Sequence, residues 1–264
     1  KGKVFYGWFD NHLAYISSAI KFLNDTGKDG KKFWNESDIY HFIGKDIVYH
    51  HYLFLPAMRL GIGEEYKLPD YIPTRGHLTL QSKKISKSRN WYIGLKDFLR
   101  IFPADYLRFY LISINSYSQD DLNFDWDEFA TKINSELIGN FGNLVNRALG
   151  FTVKSFNGIV PDPDEFDNMD KESEKMIKEF VLDLGILMEE NHLDRALKKI
   201  LQFSAHFNQY FQHKEPWKNG AGTNSCVFLS VNAVKSLAIA IYPFLPESSQ
   251  KIWLQLGLDG DISV

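Results

Sequence analysis

A change in hydrophobic periodicity near residue 95 is the sequence feature that most constrains the fold of this 264-residue chain. Before it, short apolar runs alternate with turn residues, which is typical of short strands joined to helices by tight turns. After it, apolar residues recur at helical spacing over long segments. We therefore predict an α/β domain over residues 1–94, followed by an all-α domain over residues 95–264 in which short loops join antiparallel helices.

The predicted elements follow from these two patterns. In the first domain we expect strands over residues 4–9, 40–43 and 77–80, helices over residues 11–23 and 46–58, and a basic loop over residues 82–90. In the second domain we expect helices over residues 95–101, 104–116, 126–151, 171–190, 193–211, 225–242 and 247–256. Where strand, tight turn and helix alternate in this way, ligands bind at the carboxyl ends of the strands.

The composition is that of a globular protein, with 44% hydrophobic and 24% charged residues. A net charge of −3 argues against a generally basic surface, so any RNA contact is expected at a local patch. The one cysteine, Cys226, excludes an internal disulfide and a clustered zinc site, and we expect it to be a buried apolar residue. We find neither a signal peptide nor an apolar run approaching a membrane span, which predicts a cytoplasmic protein with no membrane partner.

A basic loop follows the third predicted strand. Between residues 83 and 89 it contains Lys83, Lys84, Lys87 and Arg89, interleaved with serines. Ammonium groups and hydroxyls on such a loop suit a polyphosphate, because they stabilise negative charge on phosphate oxygens. From charge alone, an ordinary solvated turn is the favoured interpretation.

Four stretches of the chain resemble one enzyme family. The residues Lys84-Ile85-Ser86-Lys87-Ser88 resemble the KMSKS signature of class I aminoacyl-tRNA synthetases, with isoleucine in place of methionine. Three more stretches resemble methionyl-tRNA synthetases in order and spacing: KVFYGWFD at residues 3–10, HFIGKDIVY at 41–49 and NLVNR at 143–147. Together they extend the resemblance over nearly the whole chain.

The resemblance implies a fold and an activity. The fold would be the second half of a Rossmann-type class I catalytic domain, followed by an anticodon-binding helical bundle. The activity would be ligation of methionine to its tRNA through an aminoacyl-adenylate, with ATP and its Mg²⁺ as substrate. In the lysine loop, Lys84 and Lys87 would contact the departing pyrophosphate, with Ser86 and Ser88 beside them as catalytic residues.

Three residues match the family's ATP-binding positions: Gly44, Asp46 and Leu78. Glycine allows the backbone to approach the nucleoside closely, and a carboxylate accepts hydrogen bonds from ribose hydroxyls. Leu78 would meet adenine through its main chain. For Asp46 an alternative interpretation stays open, namely an N-cap or first-turn residue of the following helix.

Three other residues match the family's methionine pocket: Trp8, Tyr15 and His51. An aromatic box suits a thioether, since sulfur packs well against ring edges. Without the resemblance, core packing is the favoured interpretation of each of the three residues. The pocket wall departs from the family. Residues 11–15 read Asn-His-Leu-Ala-Tyr where the family usually has Ala-Pro-Ile-Gly-Tyr, and Leu55 stands where some members have tryptophan.

In the helical domain, the resemblance assigns recognition of a CAU anticodon to Asn143, Arg147 and Trp217. Asn143 and Arg147 are four residues apart and so share one helix face. Bases of single-stranded loops are recognised by hydrogen bonds to their edges and by stacking on aromatic or guanidinium planes. The alternatives are an exposed polar helix face, an ion pair of Arg147 with Glu136, and a helix-end cap for Trp217.

Two family features are missing from these 264 residues, namely the HIGH-type motif and the zinc-bearing insertion. We therefore expect a fragment that lacks the N-terminal half of the enzyme, with zinc only in that missing part. Such a fragment would not form methionyl-adenylate alone; pyrophosphate exchange into ATP on adding methionine would contradict this. Two alternative functions stay open, a non-catalytic tRNA-binding module and another class I synthetase, such as one for valine, isoleucine, leucine or cysteine.

Overall fold

The computed structural model describes residues 2–4, 6–9, 11–63, 66–115 and 118–262. It divides into two compact units. The first consists of Lys1–His77 with Ser118–Asp121, and the second of Leu78–Tyr117 with Leu122–Val264. The lysine loop therefore belongs to the unit that holds the long helices. The domain boundary that the sequence places between residues 94 and 95 stays a prediction.

Short elements build the first unit. Its helices are α1 (Asn11–Asp25), α2 (Gly30–Glu36) and α3 (Leu55–Ile62), and its strands are β1 (Ile43–Gly44) and β2 (Thr74–Arg75). A 3₁₀ turn at Lys45–Ile47 and a π turn at His50–Phe54 lie between β1 and α3. β1 and β2 pair in parallel, with Ile43 opposite Thr74.

The first two helices pack closely against each other. A Cβ atom added to Gly30 would lie 2.5 Å from the carbonyl oxygen of Ile20, so only glycine fits where α2 meets α1. Asp29 caps α2, because its carboxylate accepts a hydrogen bond from the backbone N–H of Lys32 at 3.0 Å. α1 confirms the predicted helix, whereas α2 was not predicted.

The predicted strand over residues 4–9 is wrong. Gly7–Phe9 form a 3₁₀ turn, and Val4 and Tyr6 are 95% and 63% exposed, so the run is not a buried strand. Phe5 lies outside the described residues. An apolar run shows a preference for burial, but a strand also needs a partner for its backbone hydrogen bonds.

Two other predictions for this unit are correct only in part. In the predicted strand over residues 40–43, Tyr40 forms an isolated parallel bridge with Tyr71, and the strand itself is Ile43–Gly44. The predicted helix over residues 46–58 is helical throughout much of its length, but it passes from 3₁₀ to π to α geometry. Periodicity cannot separate these types over so short a segment.

The second unit contains a small mixed sheet and the remaining helices. β3 (Leu78–Leu80) lies between β4 (Lys83–Lys84), to which it is antiparallel, and β5 (Leu122–Phe124), to which it is parallel. The helices are α4 (Leu95–Ile101), α5 (Ala104–Ile114), α6 (Trp126–Lys132), α7 (Asn143–Phe156), α8 (Asn168–Glu189), α9 (Leu193–Lys214), α10 (Thr223–Ile241) and α11 (Pro246–Gln255). A 3₁₀ turn, Pro216–Lys218, follows α9.

These helices confirm the predicted helix positions to within a few residues; Ser116, the predicted end of α5, lies outside the described residues. The long predicted helix over residues 126–151 is one continuous rod, but Ile133–Gly142 in its middle is a π-helix. There, the backbone N–H of Asn143 donates to the carbonyl oxygen of Ile138, five residues earlier.

Helix α10 lies at the centre of the second unit's hydrophobic core. By length and composition it qualifies as a membrane span, so our statement that no apolar run approaches that length was wrong. Most of its residues are buried inside the unit, which is the usual place for so apolar a helix in a packed core. Cys226 on α10 is fully buried, as predicted, and burial raises the pKa of its thiol to about 12.

A buried charge network joins the start of α8 to the end of α9. Asp167 and Asp170 form a reciprocal capping box at the start of α8. The Nζ atom of Lys214 lies 2.6 Å from Asp170 Oδ1 and 2.7 Å from Asp167 Oδ2, and the Tyr210 hydroxyl donates to Asp170 Oδ1 at 2.6 Å. Burial lowers the pKa of Lys214, but the hydrogen bonds to both carboxylates outweigh it and raise that pKa.

Candidate functional site

The three residues expected to line a methionine pocket lie in one cluster of rings in the first unit. The Tyr15 hydroxyl is 3.3 Å from Nε2 of His51. Two further histidines connect this pair to Trp8. The ring centroid of His12 is 5.0 Å from that of His51 and 5.5 Å from that of Trp8, and the His50 centroid is 4.4 Å from Trp8. The structure therefore brings the expected residues together and adds His12 and His50 to them.

Hydrogen bonds fix the orientation of the buried His51 ring. Its Nδ1 is 3.0 Å from the carbonyl oxygen of Ile47, which can only accept, so Nδ1 carries the hydrogen. Nε2 is then the lone-pair nitrogen, and it accepts the hydrogen bond from the Tyr15 hydroxyl. Tyr15, His41 and His51 also line an open depression of about 540 Å³, large enough for an amino-acid side chain.

Two histidines of the cluster titrate below the normal range. His12 is fully buried, and neither ring nitrogen has a partner in the described part of the chain. Burial, then the neighbouring His51, lowers the pKa of His12. The same two causes lower the pKa of His41 to about 4. Both rings are therefore neutral at pH 7, which suits contact with an uncharged side chain.

The expected nucleoside-binding turn follows β1 in the first unit. A Cβ atom on Gly44 would lie 2.7 Å from Asp46 Oδ1, so a larger residue there would require the Asp46 side chain to move. Asp46 Oδ1 is 3.3 Å from His77 Nε2. Gly44 is the N-cap of the 3₁₀ turn and Asp46 lies in its first turn, as the alternative interpretation for Asp46 proposed. Asp121 accepts from Lys45 Nζ at 2.8 Å and from the backbone N–H of His77 at 2.8 Å. The pKa of Asp121 is lowered by Lys45 first and by that N–H second.

The lysine loop is a tight hairpin in the second unit. Ser86 and Trp91 exchange two backbone hydrogen bonds of 2.8 and 2.9 Å. The indole N–H of Trp91 donates to the carbonyl oxygen of Leu80 at 3.0 Å, and the Lys83 ammonium lies 5.0 Å from the centre of the Trp91 ring. Trp91 thus ties the base of the loop to β3, the strand that also carries Leu78.

The tip of this hairpin presents its cations to solvent. Lys84 and Lys87 are exposed, and within the described ranges neither forms an ion pair. The hydroxyls of Ser86 and Ser88 lie 3.1 Å apart, so they form one polar group on the same loop. Such an arrangement can bind a polyanion without first breaking an internal ion pair.

The three expected anticodon contacts lie on one surface of the second unit. The Arg147 guanidinium carbon lies 5.9 Å from the centre of the Trp217 ring and 5.1 Å from that of Phe211. Arg147 donates to Gln212 Oε1 at 2.9 Å, and Asn143 Nδ2 donates to Asn208 Oδ1 at 2.8 Å. We call these six residues the α7–α9 patch.

Two alternatives for this patch can now be compared with the geometry. Arg147 does not pair with Glu136, whose carboxylate instead accepts from Lys132 at 3.2 Å. Trp217 lies in the 3₁₀ turn after α9 and is 43% exposed. Part of its ring is therefore exposed to solvent, and the Arg147 guanidinium carbon lies 5.9 Å from the ring centre.

Comparison with known proteins identifies the family. A family model described as tRNA synthetases class I (M) matches residues 1–149. The chain belongs to the class I tRNA synthetases of this type. It is 40% identical to a methionine–tRNA ligase of Pyrococcus horikoshii over 98% of this chain and 38% of that protein. It is 39% identical to one of Methanopyrus kandleri over 98% of this chain and 39% of that protein.

Solved structures agree with this assignment. The methionyl-tRNA synthetase of Mycobacterium tuberculosis in complex with methionyl-adenylate superposes with a TM-score of 0.86 and 26% identity, over 97% of this chain and 51% of that chain. This chain thus shares the fold of that synthetase. It spans about 38% of the length of the curated relatives that it matches.

We did not predict several residues that lie beside the expected site residues. In the α7–α9 patch these are Asn208, Phe211 and Gln212 on α9. Ser204, Asn208 and Gln212 are uncharged polar residues at four-residue spacing on an amphipathic helix, and this stripe was the available signal. His77 and Asp121 are far apart in sequence, and nothing in the sequence links them. The part of the synthetase that the structure describes has no group of three His, Cys, Asp or Glu residues able to hold a metal ion.

Proposed function

We propose that this chain supplies part of the amino-acid and ATP sites, and the anticodon-reading surface, of an enzyme that ligates methionine to its tRNA. The observation that carries the proposal is the α7–α9 patch. Asn143 and Arg147 lie on α7 and Trp217 follows α9, far along the sequence, yet they meet on one surface of a chain that belongs to the class I (M) synthetases. Within this proposal, residues 1–94 belong to a Rossmann-type catalytic domain and residues 95–264 to the connector and anticodon-binding bundle.

The ring cluster suits methionine as the amino acid. Trp8, Tyr15 and His51 offer ring edges and faces to a thioether, for which such surfaces are favourable. Because His51 directs its lone pair to the Tyr15 hydroxyl, the two side chains hold each other in place. A neutral His41 beside them avoids placing a charge next to an apolar substrate.

The first chemical step is adenylate formation. The methionine carboxylate attacks the α-phosphorus of ATP, the bond from this phosphorus to the bridging oxygen breaks, and pyrophosphate leaves with its Mg²⁺. Lys84 and Lys87 would stabilise the charge that develops on pyrophosphate, and the Ser86 and Ser88 hydroxyls would add hydrogen bonds. The 3′-terminal ribose of the tRNA then attacks the adenylate carbonyl carbon and releases AMP.

Positioning of the nucleoside is assigned to three residues. Gly44 lets the backbone approach, Asp46 accepts from ribose hydroxyls, and the main chain of Leu78 meets adenine. Asp46 is exposed, with His77 as its neighbour, so its carboxylate is accessible to a ligand. The activity is placed in the cytoplasm, without a membrane partner.

Recognition of the CAU anticodon is assigned to the α7–α9 patch. Trp217 offers an exposed ring for stacking, Arg147 offers a guanidinium plane, and Asn143 offers an amide for a base edge. Base stacking on an aromatic side chain contributes about 1–3 kcal/mol. Loss of either plane should therefore weaken RNA binding by roughly tenfold or more.

The test is binding of a tRNA anticodon stem-loop to this chain at fixed ionic strength, with CAU compared with single-base variants. We expect CAU to bind more tightly, and R147A or W217A to abolish the preference. The matched control is R195A, since Arg195 is exposed on α9 and has no contact with the patch. Equal binding of all loops by the wild-type chain would refute the anticodon assignment and leave only the amino-acid and ATP sites to support a ligase.

A further inference from the structure

A chain of side-chain amides runs behind Asn143. Asn140 Nδ2 donates to the carbonyl oxygen of Leu201 at 2.8 Å. Asn208 Nδ2 donates to Asn140 Oδ1 at 3.1 Å, to the Asn140 carbonyl oxygen at 2.9 Å and to the Ser204 carbonyl oxygen at 3.2 Å. Asn208 Oδ1 in turn accepts from Asn143 Nδ2 at 2.8 Å.

This chain has a fixed direction. Backbone carbonyl oxygens only accept, so the bonds to Leu201, Asn140 and Ser204 require that each donor is an amide nitrogen. The nitrogen of Asn208 is therefore directed toward Asn140 and Ser204, and its oxygen toward Asn143. If the side-chain amide of Asn143 turned over, its Oδ1 would face Asn208 Oδ1 with no hydrogen between them.

We infer that Asn208 is a positioning residue for anticodon recognition, because it engages one N–H of the Asn143 side chain and thereby fixes Asn143 Oδ1 as an acceptor for a base. This inference rests on the proposed anticodon function. Asn208 also accepts through its backbone carbonyl oxygen from Arg147 Nη1 at 3.4 Å, so one residue orients both neighbours on α7.

The orientation has a chemical consequence for base choice. An amide oxygen accepts hydrogen bonds, so it selects an exocyclic amino group such as N4 of cytosine or N6 of adenine. It rejects a carbonyl at the same position, as in uracil or inosine. In most settings an asparagine side chain can turn over to suit either partner, and Asn208 removes that freedom.

The experiment compares anticodon stem-loops in which this amino group is replaced by a carbonyl, a change that also adds a hydrogen to the neighbouring ring nitrogen. CAU is compared with UAU, in which a carbonyl replaces the cytosine amino group, and with CIU, in which a carbonyl replaces the adenine amino group. Binding is measured for the wild type, N208L and N208D. Aspartate can only accept, so it still requires Asn143 to donate, although its second oxygen then faces the carbonyl oxygens of Asn140 and Ser204 and lowers the stability of the fold. Leucine leaves the Asn143 amide free to turn.

We expect the wild type to prefer CAU over at least one of the two variant loops. N208L should lower that preference about fivefold, mainly by binding the variant loop better. The freed Asn143 amide can then turn over and donate a hydrogen bond to the carbonyl of that loop, and one hydrogen bond accounts for about this factor. N208D should retain the preference. The matched control is N232L on α10, where Asn232 donates to the Phe228 carbonyl oxygen at 2.8 Å, and there the preference should not change.

Three outcomes would overturn the inference. One is an unchanged preference in N208L; another is an equal loss in N208D and N208L, which a merely structural role would give. The third is a wild type that binds all three loops equally, which refutes the proposed function itself and the inference with it. Helical circular dichroism checks the folding of each variant, and N208A replaces N208L if leucine is not accommodated.

Discussion

The buried histidines of the first unit differ in whether their ring nitrogens are satisfied. His51 uses both nitrogens, one with Ile47 and one with Tyr15. His12 is equally buried but uses neither with any described residue. A buried polar group without a partner costs about 1–3 kcal/mol, so His12 is a destabilising residue.

Replacement of His12 by leucine is therefore expected to raise the free energy of unfolding by about 1 kcal/mol, because it removes two unsatisfied nitrogens at similar volume. Replacement of His51 by leucine should lower that free energy by a similar amount, since it leaves the Ile47 carbonyl and Tyr15 hydroxyl without their partner. Urea unfolding of both variants measures the difference. Destabilisation of H12L as large as that of H51L would contradict the assignment of His12 as unsatisfied.

At the scale of elements, the α7–α9 patch depends on how the end of α9 is held. Lys214 lies one turn before Trp217, and its side chain is 10% exposed, while that of Asp170 at the start of α8 is 1% exposed. Their 2.6 Å ion pair, together with the Tyr210 hydroxyl, fastens the two helices to each other. A buried pair of this kind contributes little in net stability but makes the loss of one partner costly.

The variant K214M is expected to lower the free energy of unfolding by about 3 kcal/mol, because it leaves the buried Asp170 carboxylate without its cation. The control is K218M. Lys218 pairs with Glu215 at 2.6 Å on the surface, with exposures of 65% and 40%, so its loss should cost no more than about 0.5 kcal/mol. If thermal or urea unfolding shows equal effects for the two variants, the network does not hold α8 to α9.

Elements were predictable from sequence in proportion to their length. Helices α8, α9 and α10 show many turns of periodicity, so their positions were correct to within a few residues. β1 and β2 have two residues each, and their existence depends on a partner that no local pattern reveals. The π-helix within residues 126–151 was also invisible, because its apolar positions still fit a helical pattern.

The candidate sites were predictable where a linear motif carried them. Asn143, Arg147 and the lysine loop each lie in a contiguous signature, and the structure shows Arg147 beside Trp217. Residues that act through the fold were not found. Asn208 orients Asn143 from another helix, and His12 enters the ring cluster where the family has a proline, so neither is part of a recognisable pattern.

At the scale of the whole molecule, several buried histidines make stability depend on pH. Burial is the first cause that lowers the pKa of His41 from 6.5 to about 4, and electrostatic repulsion by the neighbouring His51 is the second. The pKa of His12 is lowered in the first unit, and that of His206 in the second, in each case first by burial. Between pH 6.5 and about 4 the unfolded chain binds protons at His41 that the folded chain does not bind.

Stability is therefore expected to be full above pH 6.5 and to fall as the pH decreases toward 4. The variant H41F should flatten this dependence, since it removes the group whose pKa is lowered most clearly. H213Q, a change at an exposed histidine at the end of α9, serves as the control. Urea unfolding at several pH values gives the slope, and an identical slope in H41F and the wild type would contradict the assignment.

The π-helix of Ile133–Gly142 has a consequence for insertions and deletions. Its backbone bonds reach five residues back instead of four, so one residue can be lost there without breaking the rod, because α-helical bonding replaces π bonding. The wider turns of the π segment already accommodate the extra residue, so its loss would largely preserve the orientation of α7 about its axis. The same loss from an α-helical part of the rod would rotate α7 by about 100°, and Asn143 and Arg147 would no longer face α9. A related chain shortened by one residue within this segment would therefore still present both residues to α9.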